Sequence, residues 1–207
     1  GLGDVYKRQY VIKAVELQED LLAAKVENAN KTENKTSVNL AFKHILTQIN
    51  FSAELESGVT YTVTKIEIMD VNNTGTFTYG TGDVVGAWSS LSGKISYEYA
   101  GKYDATATDN VADFSTNANA LMLLPQTLSA DAKIAVTYSA VKNGFTTFTG
   151  TKEVSLKDKV WGIGKNLRYT LKLSSDATEV VFTPSVSEWT DETPQPDPVT
   201  PVTPPTE

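Results

Sequence analysis

The sequence predicts an all-β protein folded as an antiparallel β-sandwich. Short apolar segments that alternate at period two recur along the chain, and turn signals separate them at intervals of about ten residues. No long segment follows the helical period of about 3.6 residues. Hydrophobic residues make up 40% of the 207-residue chain. This is enough for a sizeable core, and the length allows one or two domains.

The composition excludes several classes of function. Lys and Arg number 18 and Asp and Glu number 25, so the net charge is −7 and the isoelectric point is about 4.8. Nucleic-acid and anionic-lipid binding need clustered basic residues, which this balance disfavours. With no cysteine and one histidine, the chain cannot form disulfides, thiol sites or a histidine metal cluster. No apolar run approaches the roughly 18 residues of a transmembrane helix.

Residues 1–9, GLGDVYKRQ, look foreign to the rest of the chain. The segment DVYKRQ is what the mosaic-end adapter of transposase-based sequencing libraries encodes when it is read through. We interpret residues 1–9 as a read-through scar and exclude them from fold reasoning. The alternative is a native basic segment. On the scar interpretation, any signal peptide, lipid-attachment cysteine or earlier strands are missing from this sequence.

The next segments are short. Residues 10–15 are apolar and β-branched, which predicts a strand, and residues 18–24 fit either a helical turn or the start of a strand. Residues 27–37 form a polar loop rich in turn formers. Asn30 and Asn34 begin formal glycosylation sequons, which we interpret as parts of a hydrated loop.

The pattern around which the chain is organised spans residues 38–55. The apolar residues change parity along it: Val38, Leu40 and Phe42, and then Ile49, Phe51, Ala53 and Leu55. A strand that changes parity needs an extra residue, so we predict one strand with a bulge near Lys43 and His44. The alternative is a turn and a half of helix, because four residues also fit helical spacing: Phe42, Ile45, Leu46 and Ile49.

The following segment predicts a strand, a turn and a second strand. The inward row of residues 59–70 changes parity near Thr64 and consists of Tyr61, Val63, Ile66 and Ile68. Residues 71–75, VNNTG, predict a turn, and residues 76–79 a short strand. Residues 80–86 resemble a phosphate-binding loop only in their glycines, because no Lys-Ser or Lys-Thr pair follows. We interpret them as a loop tip.

The second half predicts further strands and one long loop. Residues 95–99 alternate as a strand, and residues 100–119 form a polar, Asp-rich loop. Residues 120–124 are short and apolar enough for a buried strand. Asn143-Gly144 predicts the turn of a β-hairpin, whose strands span residues 134–154.

The last strands lead into a proline-rich tail. Residues 167–173 show the clearest alternation in the chain, and residues 180–189 form a final strand in which Pro184 interrupts the ladder. Residues 190–207 contain six prolines: Pro194, Pro196, Pro198, Pro201, Pro204 and Pro205. This composition is typical of an extended linker or tail.

Few polar residues suggest chemistry. His44 has no Asp or Ser pattern around it, which favours a core or edge histidine satisfied by the backbone over a catalytic base. The long loop carries Asp104, Asp109 and Asp113, which could ligate calcium, but a hydrated acidic loop is the simpler interpretation. We therefore predict no catalytic residue, no metal site and no cofactor.

The tryptophans are the remaining candidates. Trp88 and Trp161 could stack on sugar rings, and we keep them as candidate glycan-binding residues. Both, like Trp189, also lie at strand ends, where a sandwich needs a large side chain to close its core.

Six segments in order carry a family resemblance. They are DLLAA at 20–24, LAFKHILTQINF at 40–51, IEI and GTF at 66–68 and 75–77, LLPQTL at 123–128, GKN at 164–166, and VSEW at 186–189. Together they resemble the fimbrillin-like family, the type V pilin subunits and the fimbrial anchor and tip proteins of Gram-negative anaerobes. The resemblance covers most of residues 18–189.

The resemblance implies tandem transthyretin-like antiparallel β-sandwich domains, the first of which is truncated. Residues 10–58 would be the C-terminal part of the first domain and residues 59–190 the second, followed by a proline-rich disordered tail or linker at 191–207. Family members are secreted, lipidated surface proteins. In those that polymerise, a protease removes an N-terminal strand, and a strand of the next subunit fills the groove.

The expected function is therefore not enzymatic. We expect a structural or accessory subunit of cell-surface fimbriae that assembles with other fimbrial subunits by strand exchange and supports adhesion. Its location would be the outer membrane or the fimbrium, with membrane contact only through a lipid anchor absent from this fragment. The alternative is an outer-membrane surface lipoprotein that binds glycans through Trp88 and Trp161. An enzyme is the least favoured class.

Overall fold

The computed structural model describes residues 7–26, 39–82, 84–99, 103–106, 111–114, 120–176 and 180–189. Within these ranges the structure is all-β, and the one helical segment is a 3-10 turn at Val15–Leu17. The strands in chain order are β1 (Lys7–Val11), β2 (Leu22–Ala23), β3 (Lys43–His44), β4 (Thr47–Glu54), β5 (Val59–Tyr79), β6 (Gly86–Glu98), β7 (Tyr103–Thr106), β8 (Val111–Asp113), β9 (Leu121–Leu123), β10 (Lys133–Lys142), β11 (Phe145–Ser155), β12 (Lys165–Lys172) and β13 (Val181–Glu188).

The first sheet is built around β5, a strand of 21 residues. β10 and then β1 pair with one edge of β5, and β7 and then β6 pair with the other. β11 continues the sheet beyond β10. All these pairings are antiparallel. The inward row predicted for β5 is confirmed, since none of its four residues is more than 3% exposed: Tyr61, Val63, Ile66 and Ile68.

The second sheet is built around β4. β12 and then β13 lie on one side of β4, and β9 and β8 pair with successive parts of its other edge. The β4–β12 pairing is parallel, which the prediction of an antiparallel sandwich did not include. The long connection between these strands passes through the first sheet, and parallel pairing needs such a crossover. β2 and β3 form a separate two-stranded ladder.

The two sheets enclose one main hydrophobic core, which confirms the predicted all-β sandwich. Phe51 of β4, Ile66 of β5, Val136 of β10 and Leu171 of β12 are all fully buried members of the same cluster. Alternation at period two supplies these rows, because every second side chain of a strand points to the same face. The predicted domain boundary near residue 58 lies between β4 and β5, inside this shared core.

Residues 39–55 differ from the predicted single strand. Leu40 and Phe42 are 51% and 59% exposed and lie before β3, so the first apolar row was wrong. Ile45 and Leu46 are both buried, and the chain leaves strand geometry there before β4 begins. The helical alternative was also wrong. Periodicity failed here because four consecutive residues, 44–47, are all buried, a run that fits neither strand alternation nor one face of a helix.

The predicted turn at residues 71–75 was wrong, because β5 continues through it. The ladder with β6 shifts register between Ile68 and Val71 and again between Thr74 and Thr76. These bulges bend the strand where a turn was expected. Gly75 serves close packing: a Cβ at this position would lie 2.8 Å from Leu91 Cδ2. The predicted parity change near Thr64 is confirmed by a register shift against β10.

Three further predictions have clear outcomes. The Asn143-Gly144 hairpin turn is confirmed, with φ values of 53° and 80° that suit a type I′ turn. The long loop predicted at residues 100–119 contains β7 and β8, so the prediction of one uninterrupted loop was wrong. Pro184 lies within β13 and does not interrupt it, because β13 is an edge strand that, in the part of the chain that the structure describes, pairs only with β12.

At one point along β5, a glutamine side chain makes the backbone hydrogen bonds that a neighbouring strand would otherwise make. The β10 pairing reaches Met69 and the β1 pairing begins at Thr74. Between them the buried Gln126 amide accepts a hydrogen bond from the Asn72 N–H at 3.0 Å and donates to the Asn72 carbonyl at 3.0 Å and the Leu124 carbonyl at 3.1 Å. The side chain thus satisfies both backbone groups of Asn72.

Replacement of Gln126 by Leu should therefore destabilise the fold by about 2–3 kcal/mol, because an aliphatic side chain leaves the Asn72 backbone groups without partners. Chemical denaturation followed by circular dichroism measures the loss. Thr127→Ala is the matched control, since the neighbouring Thr127 side chain is exposed and should change stability by less than about 0.5 kcal/mol. Equal stabilities of the two variants would contradict this role for Gln126.

Buried tyrosines define the alkaline limit of the fold. Burial raises the pKa of Tyr61, Tyr97 and Tyr99 to about 12, and it also raises the pKa of Tyr138 and Tyr169. Four of the five hydroxyls donate to backbone carbonyls: Tyr61, Tyr97, Tyr99 and Tyr138. An ionised phenolate could not donate these bonds.

These raised pKa values predict alkaline unfolding between pH 10 and about 12. The folded state retains protons that the unfolded chain loses near pH 10. Stability from these groups is therefore complete below pH 10 and is lost as the pH rises through the folded-state pKa. Absorbance of tyrosinate at 295 nm, followed with circular dichroism, should show a late, cooperative ionisation step. Ionisation of all nine tyrosines near pH 10 without loss of structure would contradict the prediction.

Candidate functional site

Trp161, one of the two candidate glycan contacts, is a core residue. It is 1% exposed, and its indole N–H donates to the Tyr169 hydroxyl at 2.8 Å. Its backbone N–H and carbonyl both pair with Gln126. A sugar ring stacks on an exposed aromatic face, and Trp161 offers none. The structure therefore corrects the glycan hypothesis for this residue, and its role is to close the core.

Trp88, the other candidate, is half-buried on β6. Its indole N–H donates to the Ile45 carbonyl at 2.6 Å, and its ring packs 5.4 Å from the Phe77 ring. The ring also borders an open groove of about 350 Å³, together with Leu91 and Pro125. Trp88 and Trp161 both line this groove, but Trp88 alone is partly exposed there.

His44 is satisfied by a carboxylate and an aromatic ring, where the sequence suggested backbone partners. Its side chain is 8% exposed, and Nδ1 lies 2.7 Å from Asp20 Oδ2. The imidazole stacks on the indole of Trp189 with ring centroids 4.0 Å apart and planes 5° from parallel. This cluster joins the segment before β2 to the residue that follows β13, and these are the contacts of a structural histidine.

The three acidic residues of the predicted long loop have different positions. Asp104 lies on β7, Asp113 ends β8, and Asp109 is outside the described residues. The Asp113 carboxylate accepts a hydrogen bond from Arg168 at 2.7 Å. Among the described residues, no group of three or more His, Cys, Asp or Glu side chains is arranged to hold a metal ion.

Fluorescence quenching can separate the two tryptophan roles. Acrylamide should quench Trp88 and Trp189 but leave a protected component from Trp161, so Trp161→Phe should remove that component. The same substitution deletes the bond to Tyr169 and should cost about 1–2 kcal/mol of stability. Trp88→Phe is the matched control and should retain the protected component. A fully quenchable wild-type spectrum would contradict the core assignment.

β1 is a short strand at one edge of the first sheet. It pairs with β5 through five residue pairs, from Lys7–Thr78 to Val11–Thr74. Side chains add two anchors: Tyr10 packs partly against the core, and Ile12, just beyond the strand, is 4% exposed. Arg8, Gln9 and Val11 are exposed. We call the edge of β5 from Thr74 to Thr78 the β1 slot.

Several other strand edges lack a second neighbour within the described residues. β11 pairs only with β10, β13 only with β12, and β6 only with β5. An edge strand presents unpaired backbone N–H and C=O groups that can hydrogen-bond to another chain. The candidate functional features of this molecule are therefore backbone edges and grooves.

Comparison with known proteins defines the class. The part of the chain that the structure describes contains no helix that could span a membrane. The family model described as fimbrillin-like matches residues 7–189. The chain therefore belongs to the fimbrillin-like family. No curated protein sequence gives a significant match.

Solved structures share the fold at low sequence identity. A fimbrial protein from Bacteroides vulgatus superposes with a TM-score of 0.68 and 19% identity, over 89% of this chain and 68% of that protein. A candidate cell adhesion protein from Bacteroides uniformis gives a TM-score of 0.57 and 17% identity, over 90% of this chain and 68% of that protein. At these identities the likeness establishes the fold.

Proposed function

We propose that this chain is a structural or accessory subunit of cell-surface fimbriae that assembles by β-strand exchange and supports adhesion. The observation that carries the proposal is the β1 slot: β1 is short and, within the described residues, pairs only with β5. Membership of the fimbrillin-like family supports a role in fimbriae. The partners are other fimbrial subunits.

Strand exchange suits the geometry of the slot. Backbone hydrogen bonds to β5 do not depend on the donor's sequence, so Lys7, Arg8 and Gln9 can pair there even if they derive from an adapter. Specificity would come from the alternate inward positions, now represented by Tyr10 and Ile12. A donor strand with apolar residues at those two positions would replace both the ladder and the anchors.

The proposal assigns a location and a type of role. A fimbrial subunit lies at the cell surface, in the fimbrium or at the outer membrane. Its function is structural, because the chemistry resides in backbone pairing. Residues 191–207 are a linker or tail, and residues 1–9 an adapter scar.

A second candidate function is glycan binding. The supporting observation is the groove beside Trp88, which places a partly exposed aromatic ring next to Pro125 and Leu91. Since Trp161 is buried, this function would rest on Trp88. Glycan-array binding that Trp88→Ala abolishes, without loss of folding, would favour it over strand exchange.

Strand exchange is tested on the uninterrupted natural gene. The mature protein should form rods after removal of the strand that precedes Ile12, because the open β1 slot recruits a strand from the next subunit. As a second readout, the chain lacking residues 1–11 should bind a synthetic peptide with apolar residues spaced like Tyr10 and Ile12. Light scattering and fluorescence anisotropy measure the two events.

The control peptide has the same composition with the two apolar residues moved to adjacent positions. It should bind at least tenfold more weakly, because adjacent side chains of a strand point to opposite faces. A truncated protein that stays monomeric and binds neither peptide would refute strand exchange at this slot.

A further inference from the structure

A second groove lies where the described chain ends. Its larger part, about 330 Å³, is lined by residues that include Phe42, His44, Val85, Ile163 and Trp189. A smaller part of about 150 Å³ shares Lys43 and Val85 with it. We call the two parts together the Trp189 groove.

The Trp189 groove has the lining of a site for an extended, proline-rich peptide. Polyproline-II segments dock into grooves lined by aromatic side chains, which pack against the proline rings. Phe42 is 59% exposed at the rim although it is a large aromatic residue. Trp189 is stacked on one side by His44 and contributes its remaining surface to the groove.

The chain itself supplies a matching peptide. Residues 190–207 continue directly from Trp189 and contain six of the eight prolines of the sequence. In polyproline-II geometry, at about 3.1 Å per residue, these 18 residues reach roughly 56 Å, much further than the groove requires. Trp189, the residue before the tail, already lines the groove. The residues that follow it can therefore reach the remaining groove surface directly.

Charge also matches. The tail is acidic, with Asp191 and Glu192 immediately after Trp189 and Thr190. Lys43 stands at the junction of the two parts of the groove, and no described carboxylate is within ion-pair distance of it. The one acidic residue that lines the groove, Glu188, is paired with Lys165. The groove therefore offers a cation where the tail brings anions.

We propose that residues 190–207 dock in the Trp189 groove of their own chain as a polyproline-II segment. Phe42 and Trp189 pack against the proline rings, and Lys43 pairs with the first acidic residues. The docked tail covers apolar surface that is otherwise exposed at this end of the sandwich. This inference does not depend on strand exchange.

A spin label on the tail tests the proposal. The chain has no cysteine, so Thr200→Cys gives one labelling position in the full chain. In an isotope-labelled sample, the label should reduce the amide signals of Lys43, Val84 and Val85 at least twofold more than those of Asn143 and Gly144. The latter lie at the hairpin turn near the opposite end of β5.

Two substitutions identify the contacts. Phe42→Ala should abolish the excess broadening at the groove, and Lys43→Glu should reduce it, because the two changes remove the aromatic wall and the cation. Phe145→Ala is the matched control: Phe145 is 76% exposed at the hairpin and should have no effect. Both aromatic positions are exposed, so neither substitution should prevent folding.

A mixed sample separates the chain's own tail from that of a second copy. Isotope-labelled protein without a spin label is mixed with protein of natural isotope abundance that carries the spin label at position 200. The proposal expects no excess broadening in this mixture. Broadening that appears in the mixture as strongly as within one chain would assign the groove to a second copy. Equal broadening at the groove and the hairpin in the single-chain sample would show that the tail does not dock in the groove. Either result overturns the proposal.

Discussion

The structure depends on one strand, β5, which pairs with four others. A straight strand of 21 residues would span about 70 Å at 3.3 Å per residue, too long for two compact sheets to enclose. Register shifts at Thr64, near Asp70 and near Gly75 relieve this by bending and twisting the strand. Asp70 has a φ of 58°, a value that few residues other than glycine adopt.

The same constraint explains why β5 changes partner along one edge. After the bend, β10 no longer follows β5, and a gap opens between Met69 and Thr74. Gln126 occupies the gap, and the Gln126 backbone also pairs with Trp161. The loop that carries Gln126 thus links the first sheet to the core tryptophan. β1 begins beyond this point and, within the described residues, pairs with β5 alone.

The sequence predicted the strands wherever one face is buried and the other hydrated. β10, β12 and the first half of β5 have this arrangement, and each was predicted as a strand. Prediction failed where tertiary packing overrides local pattern. VNNTG is a typical turn sequence, but its polar residues belong to a bulged strand. Phe42 and Leu40 looked like core residues because they are apolar and alternate, yet they remain exposed. Composition cannot distinguish a core row from the wall of a groove.

The candidate site was harder to predict than the fold, because it is made of backbone and surface and not of a residue motif. The β1 slot and the Trp189 groove nevertheless lie at the same end of the molecule. Lys7 pairs with Thr78, while Val85, which lines the groove, accepts the Gly80 N–H through its carbonyl. The strand that would be exchanged and the tail that would dock therefore meet near Gly80 and Val85. A donor strand proposed to replace β1 would enter beside β5 near Gly80. Strand exchange and occupancy of the groove should therefore be measured on the same protein.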